Sequence, residues 1–197
     1  MVFMKILFFL TLTLFCCQLQ AQQFGLKAGM SYNTMNFQAG GTPSSIKSRW
    51  QPGFSLGGLL NVPLYTDAII SLQPEYAYKL MKGDDIVFNT KFTLHYLSLP
   101  VLLRLELGER IALLAGPEFG LLIHAQEHTR TGASIDTRHD IEERAVSAVG
   151  GVELRMASSL FVEARYVHGY NHVGLGQRTA LREFKWRGVE AGIGWRF

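Results

Sequence analysis

The sequence has two cysteines, Cys16 and Cys17, and both fall within its first 21 residues. That stretch, "MVFMKILFFLTLTLFCCQLQA", carries Lys5, an apolar run from Ile6 to about Cys17, and then polar and small residues. This is the layout of a secretory signal, with cleavage expected after Ala21. The run is too short to span a bilayer as a helix, and no charge follows it to halt transfer. A lipoprotein signal would need small residues before Cys17, where Phe15 and Cys16 stand. The mature chain, 22–197, then has about 176 residues, one domain's worth, and no cysteine. A disulfide scaffold and a cysteine nucleophile or ligand are thereby excluded. No later apolar run is long enough for a membrane helix. No segment repeats apolar residues at helical spacing between caps. An excess of one charge is also missing: the net charge of +3 falls to about +2 once Lys5 is removed, too little to argue for nucleic acid. "AGG" and "GLGQ" are too short and isolated to cradle phosphates, so no cofactor is implied.

What is present is alternation with a period of two, repeated along the mature chain. "FGLKAGMSYN" sets Phe24, Leu26, Ala28, Met30 and Tyr32 against Gly25, Lys27, Gly29, Ser31 and Asn33. The same contrast recurs in "GFSLGGLLNVPL", "AIISLQPEYAYKL", "YLSLPVLLRLEL", "IALLAGPEFGLLIH", "AVSAVGGVELRM", "LFVEARYVHGY" and the closing "VEAGIGWRF". These make eight candidate strands. Their connections alternate between long or medium segments and short ones near Tyr65, at Gly108–Arg110 and at Ala157–Ser159. An even number of antiparallel strands, with short turns at one end and long loops at the other, predicts an all-β, eight-stranded antiparallel transmembrane β-barrel of the outer membrane.

A soluble barrel also alternates, but with its apolar face inward. The glycines favour the opposite arrangement. Gly25, Gly29, Gly53, Gly57, Gly116, Gly120, Gly151, Gly192 and Gly194 share the charged face, with Gly58 and Gly150 as exceptions. A crowded small-barrel interior needs small residues beside large ones, whereas a wetted strand face is weakened by glycine. The charged face is therefore expected to be the lumen. Its set is nearly neutral: Lys27, Lys79, Arg104, Arg155, Arg165 and Arg196 stand against Glu75, Glu118, Glu153, Glu163 and Glu190. Buried charges must be paired, so these residues are expected to form a lumen ion-pair network. A turn centred on Ser159 would set Arg155 opposite Glu163 and Glu153 opposite Arg165. A register shifted by two residues would set Glu153 opposite Glu163 and undo the charge argument at that hairpin. Pro63, Pro74, Pro100 and Pro117 fall within strands, where bulges or local ends are expected, most of all near Pro100. There the large apolar residues change face, between Phe92-Leu94-Tyr96 and Leu97-Leu99.

"FGLKAGMSYN", "LQPEYAYK", "YLSLPVLLR", "LLAGPEFGLL", "GGVELR", "VEARYVHGY" and "GIGWRF", in that order over nearly the whole mature chain, resemble the PorT-like outer-membrane β-barrel family common in Bacteroidetes. The resemblance implies an eight-stranded outer-membrane barrel in a Gram-negative cell. One family member is tied to protein secretion and surface export, and the family has no catalytic motif to carry over. It supports the fold more than any role.

Candidate chemistry is sparse. His124 and His128 lie four apart, a metal spacing only on a helix, and here a strand runs into a loop. His139, His168 and His172 read as loop residues, so no metal site is assigned. Ser134, His139 and Asp140 make a hydrolase site only if the loop assembles them. Trp50, Tyr65, Trp186, Trp195 and Phe197 fit an aromatic girdle at strand ends. Basic residues in "SIKSRW" and "RTALREFKWR" suit lipopolysaccharide phosphates. The terminal aromatic Phe197 suits recognition by the barrel-assembly machinery. The reading is a non-enzymatic membrane anchor, surface-binding protein or secretion and assembly accessory, with an unknown protein partner at its outer loops. The alternatives are a soluble secreted or periplasmic barrel holding a small apolar ligand, and a rim-active membrane-barrel enzyme.

Overall fold

The computed structural model describes residues 22–39, 42–64, 69–85, 90–128, 134–136, 142–171 and 184–197. The expected signal segment, 1–21, lies outside them. The strands are β1 (Gln23–Ala39), β2 (Thr42–Lys47), β3 (Gln51–Pro63), β4 (Ile70–Asp85), β5 (Thr90–Leu107), β6 (Ile111–His128), β7 (Ser134–Asp136), β8 (Arg144–Arg155), β9 (Leu160–Gly169) and β10 (Phe184–Arg196). Eight of them run antiparallel in the order β10-β9-β8-β6-β5-β4-β3-β1, and β10 pairs back onto β1 to close the barrel. The closing ladder runs from Gly25↔Arg196 to Phe37↔Phe184 and leaves no open edge for either terminal strand. β2 and β7 are short additions at the loop end, pairing with β1 and β6. At the other end β5 turns into β6 through Gly108–Arg110, where Gly108 takes φ +81°, a left-handed conformation that a glycine adopts without strain.

The pleat sends alternate side chains to opposite faces. Phe24, Leu26, Met30, Leu99, Leu103, Leu113, Phe119 and Ile193 point outward and are exposed. A soluble barrel would bury such a set, and a barrel in lipid presents it as a band. No helix among the described residues is long and apolar enough to cross a membrane. The strands make the crossing.

Two expectations are corrected here. The prolines leave the register intact. Pro74↔Val101 and Ala77↔Ser98 belong to one register, as do Pro100↔Glu118 and Leu103↔Ala115, with only short gaps in pairing between them. Among the described residues the one register shift between barrel strands lies elsewhere: His95 pairs with His124 but Tyr96 pairs with Leu122, so Ile123 is extra. Nor does β5 switch faces near Pro100. Phe92, Leu94, Tyr96, Ser98, Leu102 and Arg104 are all buried, while Leu97, Leu99 and Leu103 are exposed. The chemistry of the lumen changes instead, from apolar at the loop end to charged at the turn end.

Candidate functional site

The turn-side half of the lumen is an ion-pair network built by six of the eight barrel strands. Lys27 on β1 donates to Glu75 on β4 (2.6 Å) and to Glu163 on β9 (3.0 Å). Arg165, also on β9, donates to the same two carboxylates (2.6 and 2.7 Å), closing a ring of two cations and two anions. Gln73 extends it, donating to Glu75 (2.7 Å) and accepting from Arg196 on β10 (3.2 Å). Arg196 also binds Glu153 on β8, which takes a second bond from Arg104 on β5 (3.0 Å). Arg104 and Arg155 then share Glu106 (2.5 and 2.9 Å). A separate trio lies nearer the loops, where Lys79 binds Glu118 (2.8 Å) and Glu190 (2.7 Å).

All eleven charged residues expected in the lumen take part, and the sequence reading omitted two more members. Glu106 shares a face with Arg104 two residues away, so the period of two reaches it as well. Gln73 lies on the same face as Glu75, two residues away, and joins the network as a neutral hydrogen-bonding link. With Glu106 added, six cations face six anions. Arg155 is the partial exception to burial, with its side chain 37% exposed at the turn end.

The expected hairpin pairs do not form. β8 and β9 take the other register, with Glu153↔Glu163, Arg155↔Phe161 and Gly151↔Arg165. The charge argument fails at that hairpin, since direct neighbours repel. Neutralisation comes from outside that strand pairing: Glu153 from Arg104 on β5 and Arg196 on β10, Glu163 from Lys27 on β1 and from Arg165 two residues along its own strand. In a lumen this narrow, strands far apart in the sheet meet at the axis. Bare backbone makes room for the long side chains. A Cβ on Gly151 would come within 2.8 Å of Arg165 Cγ, and one on Gly194 within 2.1 Å of Cζ in the Phe161 ring. Arg196 covers that ring, 4.3 Å from its centroid.

The loop-side half of the lumen is apolar. Met35, Met81, Phe92, Leu94, Tyr96, Leu122, Ala125, Ala145, Val149, Val167 and Trp186 form a buried cluster that continues along one wall through Leu102 and Leu114. Trp186 was expected in the outward girdle and is instead 5% exposed inside this cluster. The tail "FKWRGVEAGIGWRF" keeps one alternation throughout, so Trp186 shares the lumen face with Gly188, Glu190 and Arg196 rather than that of Val189 and Trp195. Three of the other girdle residues are exposed: Trp50 stacks on Tyr32 at the loop end (5.7 Å), and Phe197 stacks on Phe24 (6.0 Å), close to exposed Trp195, at the turn end. Tyr65 lies outside the described residues, as do His139, Asp140 and His172. Ser134 belongs to β7, opposite His128. His168 points outward between Tyr166 and Tyr170. No cluster of three or more metal-ligating side chains occurs among the described residues.

Residues 18–173 match the model of the outer membrane protein beta-barrel domain family, and β10 lies beyond the matched stretch. No curated protein sequence matches the chain. Among solved structures, it is similar to the attachment invasion locus protein Ail of Yersinia pestis, solved with the heparin analogue sucrose octasulfate. That likeness has 14% identity and a TM-score of 0.52, over 90% of this chain and 100% of that one. It is also similar to neisserial surface protein A, with 12% identity and a TM-score of 0.58, over 88% of this chain and 97% of that one. At these identities the likeness establishes the fold, a closed eight-stranded antiparallel barrel.

Proposed function

The chain belongs to the outer membrane protein beta-barrel domain family, and from that premise we propose that it is a non-enzymatic, side-chain-filled barrel that anchors and presents its outer loops. Its place is the outer membrane of a Gram-negative bacterium, which removes the soluble apolar-ligand barrel from consideration. The observation that carries the proposal is the filled lumen. Ion pairs occupy the turn side and packed apolar side chains the loop side, so among the described residues side chains fill the space an aqueous path would need. A barrel that conducts nothing acts through its surfaces.

Those surfaces suggest partners. Arg49, Lys82, Arg144 and Arg187 are exposed near the loop-side ends of their strands, and none has an ion-pair partner among the described residues. The lumen cations are paired, whereas these four stand open to lipopolysaccharide phosphates in the outer leaflet. Ail's complex with a sulfated ligand is in keeping with this reading. The PorT-like resemblance favours a secretion or assembly accessory role, with an envelope protein at the outer loops. The closing strand is the segment offered to the barrel-assembly machinery. Planar-bilayer recordings of the purified protein test the central claim. They should stay at the baseline conductance, and a steady open-channel current would overturn it. Crosslinking on intact cells should then capture an envelope protein through the outer loops.

A further inference from the structure

The bulge at Ile123 changes which face His124 occupies. Before it, even-numbered residues of β6 such as Leu114, Glu118 and Leu122 are buried in the lumen. In unbroken register His124 would join them. The extra residue turns it outward, directly opposite His95 on β5, with ring centroids 5.6 Å apart. Bulges re-aim side chains in this way and are enriched beside functional sites. The Nδ1 atom of His95 is hydrogen-bonded to the Tyr78 hydroxyl on β4. That bond fixes the ring and leaves Nε2 as its second nitrogen, the arrangement an outer hydrogen bond gives to a metal-binding imidazole. No other hydrogen bond engages either ring among the described residues.

The pair also sits where an aqueous ion can reach it. Beside it and on the turn side its outward neighbours are Leu80, Ile123, Leu97 and Leu121, the edge of the apolar band. On the loop side they are Lys82, Thr93 and Gln126, all polar. Both rings are half-buried at this boundary.

We propose that His95 and His124 form a two-imidazole site for a borderline divalent transition metal, Cu2+ or Zn2+, on the outer face of the barrel. Water completes the coordination shell and Tyr78 positions His95. Imidazole pairs suit these ions, and Cu2+ binds most tightly in the first-row series. The competing account is a strip of interfacial rings, Phe54, Tyr78, His95 and His124, with no ligand.

The test uses the mature chain in detergent micelles, purified with a tag free of histidine and titrated with Cu2+. The expected result is one tight Cu2+ per barrel, with the electron paramagnetic resonance signature of two nitrogen ligands. His95→Phe or His124→Phe should each weaken binding about 100-fold, the double variant should be no worse than either single, and Tyr78→Phe should cost roughly 10-fold. His168→Phe, elsewhere on the outer face, should change nothing. Heat-modifiable migration confirms that each variant is folded, and His124→Gln replaces any that is not. Undiminished Cu2+ binding by the folded double variant, or no stoichiometric binding by the parent, overturns the proposal.

Discussion

The two halves of the lumen fill the same narrow space by different physics. On the loop side, Phe92, Leu94, Tyr96 and Trp186 exclude water by packing. Stability there follows volume, and a swap that keeps volume costs little. On the turn side, Lys27, Glu75, Glu163 and Arg165 also exclude water, but each carries a charge that is tolerable only because its partners are present. Stability there follows charge, and a swap that keeps shape is costly. β5 passes through both regimes without changing face, which shows that the pattern of faces and the chemistry of a face are separate properties of a strand.

Near-isosteric substitutions separate the two regimes most sharply. Glu75→Gln preserves shape and leaves Lys27 with one carboxylate and Arg165 likewise, so it should destabilise the barrel by about 3–5 kcal/mol. Leu94→Met preserves volume on the loop side and should cost less than about 1.5 kcal/mol. Denaturant unfolding in micelles, followed by tryptophan fluorescence, measures both. Equal costs would mean that the lumen is one kind of core. Leu94→Ala, which does change volume, should cost about 2–5 kcal/mol. The Lys79 trio sharpens the same contrast. Lys79→Met alone leaves Glu118 and Glu190 buried without their cation and should cost about 3–5 kcal/mol. Combined with Glu118→Leu and Glu190→Leu, it should return close to the parent stability, because a buried ion set replaced whole by apolar groups is often neutral.

Most of the fold was legible because the period of two acts locally, and the length of each connection is visible in the chain. The same rule placed the charges on the lumen face and would have reached Glu106. It did not reveal partners across the barrel. Glu153 on β8 finds Arg104 and Arg196 because β5 and β10, each two strands away, aim these side chains into the same narrow lumen, and no spacing along the chain encodes that meeting. The β8–β9 register escaped for a related reason. The long-range cations make Glu153↔Glu163 tolerable, so the local charge rule was outweighed by partners it could not see. Trp186 has the position of an interfacial anchor, a ring near a strand end, but alternation from Val189 puts it on the lumen face. The bulge at Ile123 carries neither glycine nor proline, the usual marks of such a site, and so neither it nor the pairing of His95 with His124 was anticipated.

The smallest effect on stability is expected at the chain end, where the effect on biogenesis is expected to be largest. Phe197 donates its backbone N–H to the Phe24 carbonyl (2.8 Å) and stacks on the Phe24 ring, yet it is 71% exposed. Deleting it removes one hydrogen bond at the edge of a ladder that continues from Arg196 to Phe184. The finished barrel should therefore lose only about 1 kcal/mol in denaturant unfolding. Before closure, however, β10 is an unpaired edge strand, and under the proposed function its alternating outward residues Val189, Ala191, Ile193, Trp195 and Phe197 are the segment offered to an assembly machine. Outer-membrane levels of the truncated chain in growing cells should fall several-fold while its refolded stability barely moves. Normal membrane levels would show that the terminal ring serves the folded barrel and not its insertion. A large loss of refolded stability would show instead that closure depends on the turn-side aromatic contact more than on the ladder beneath it.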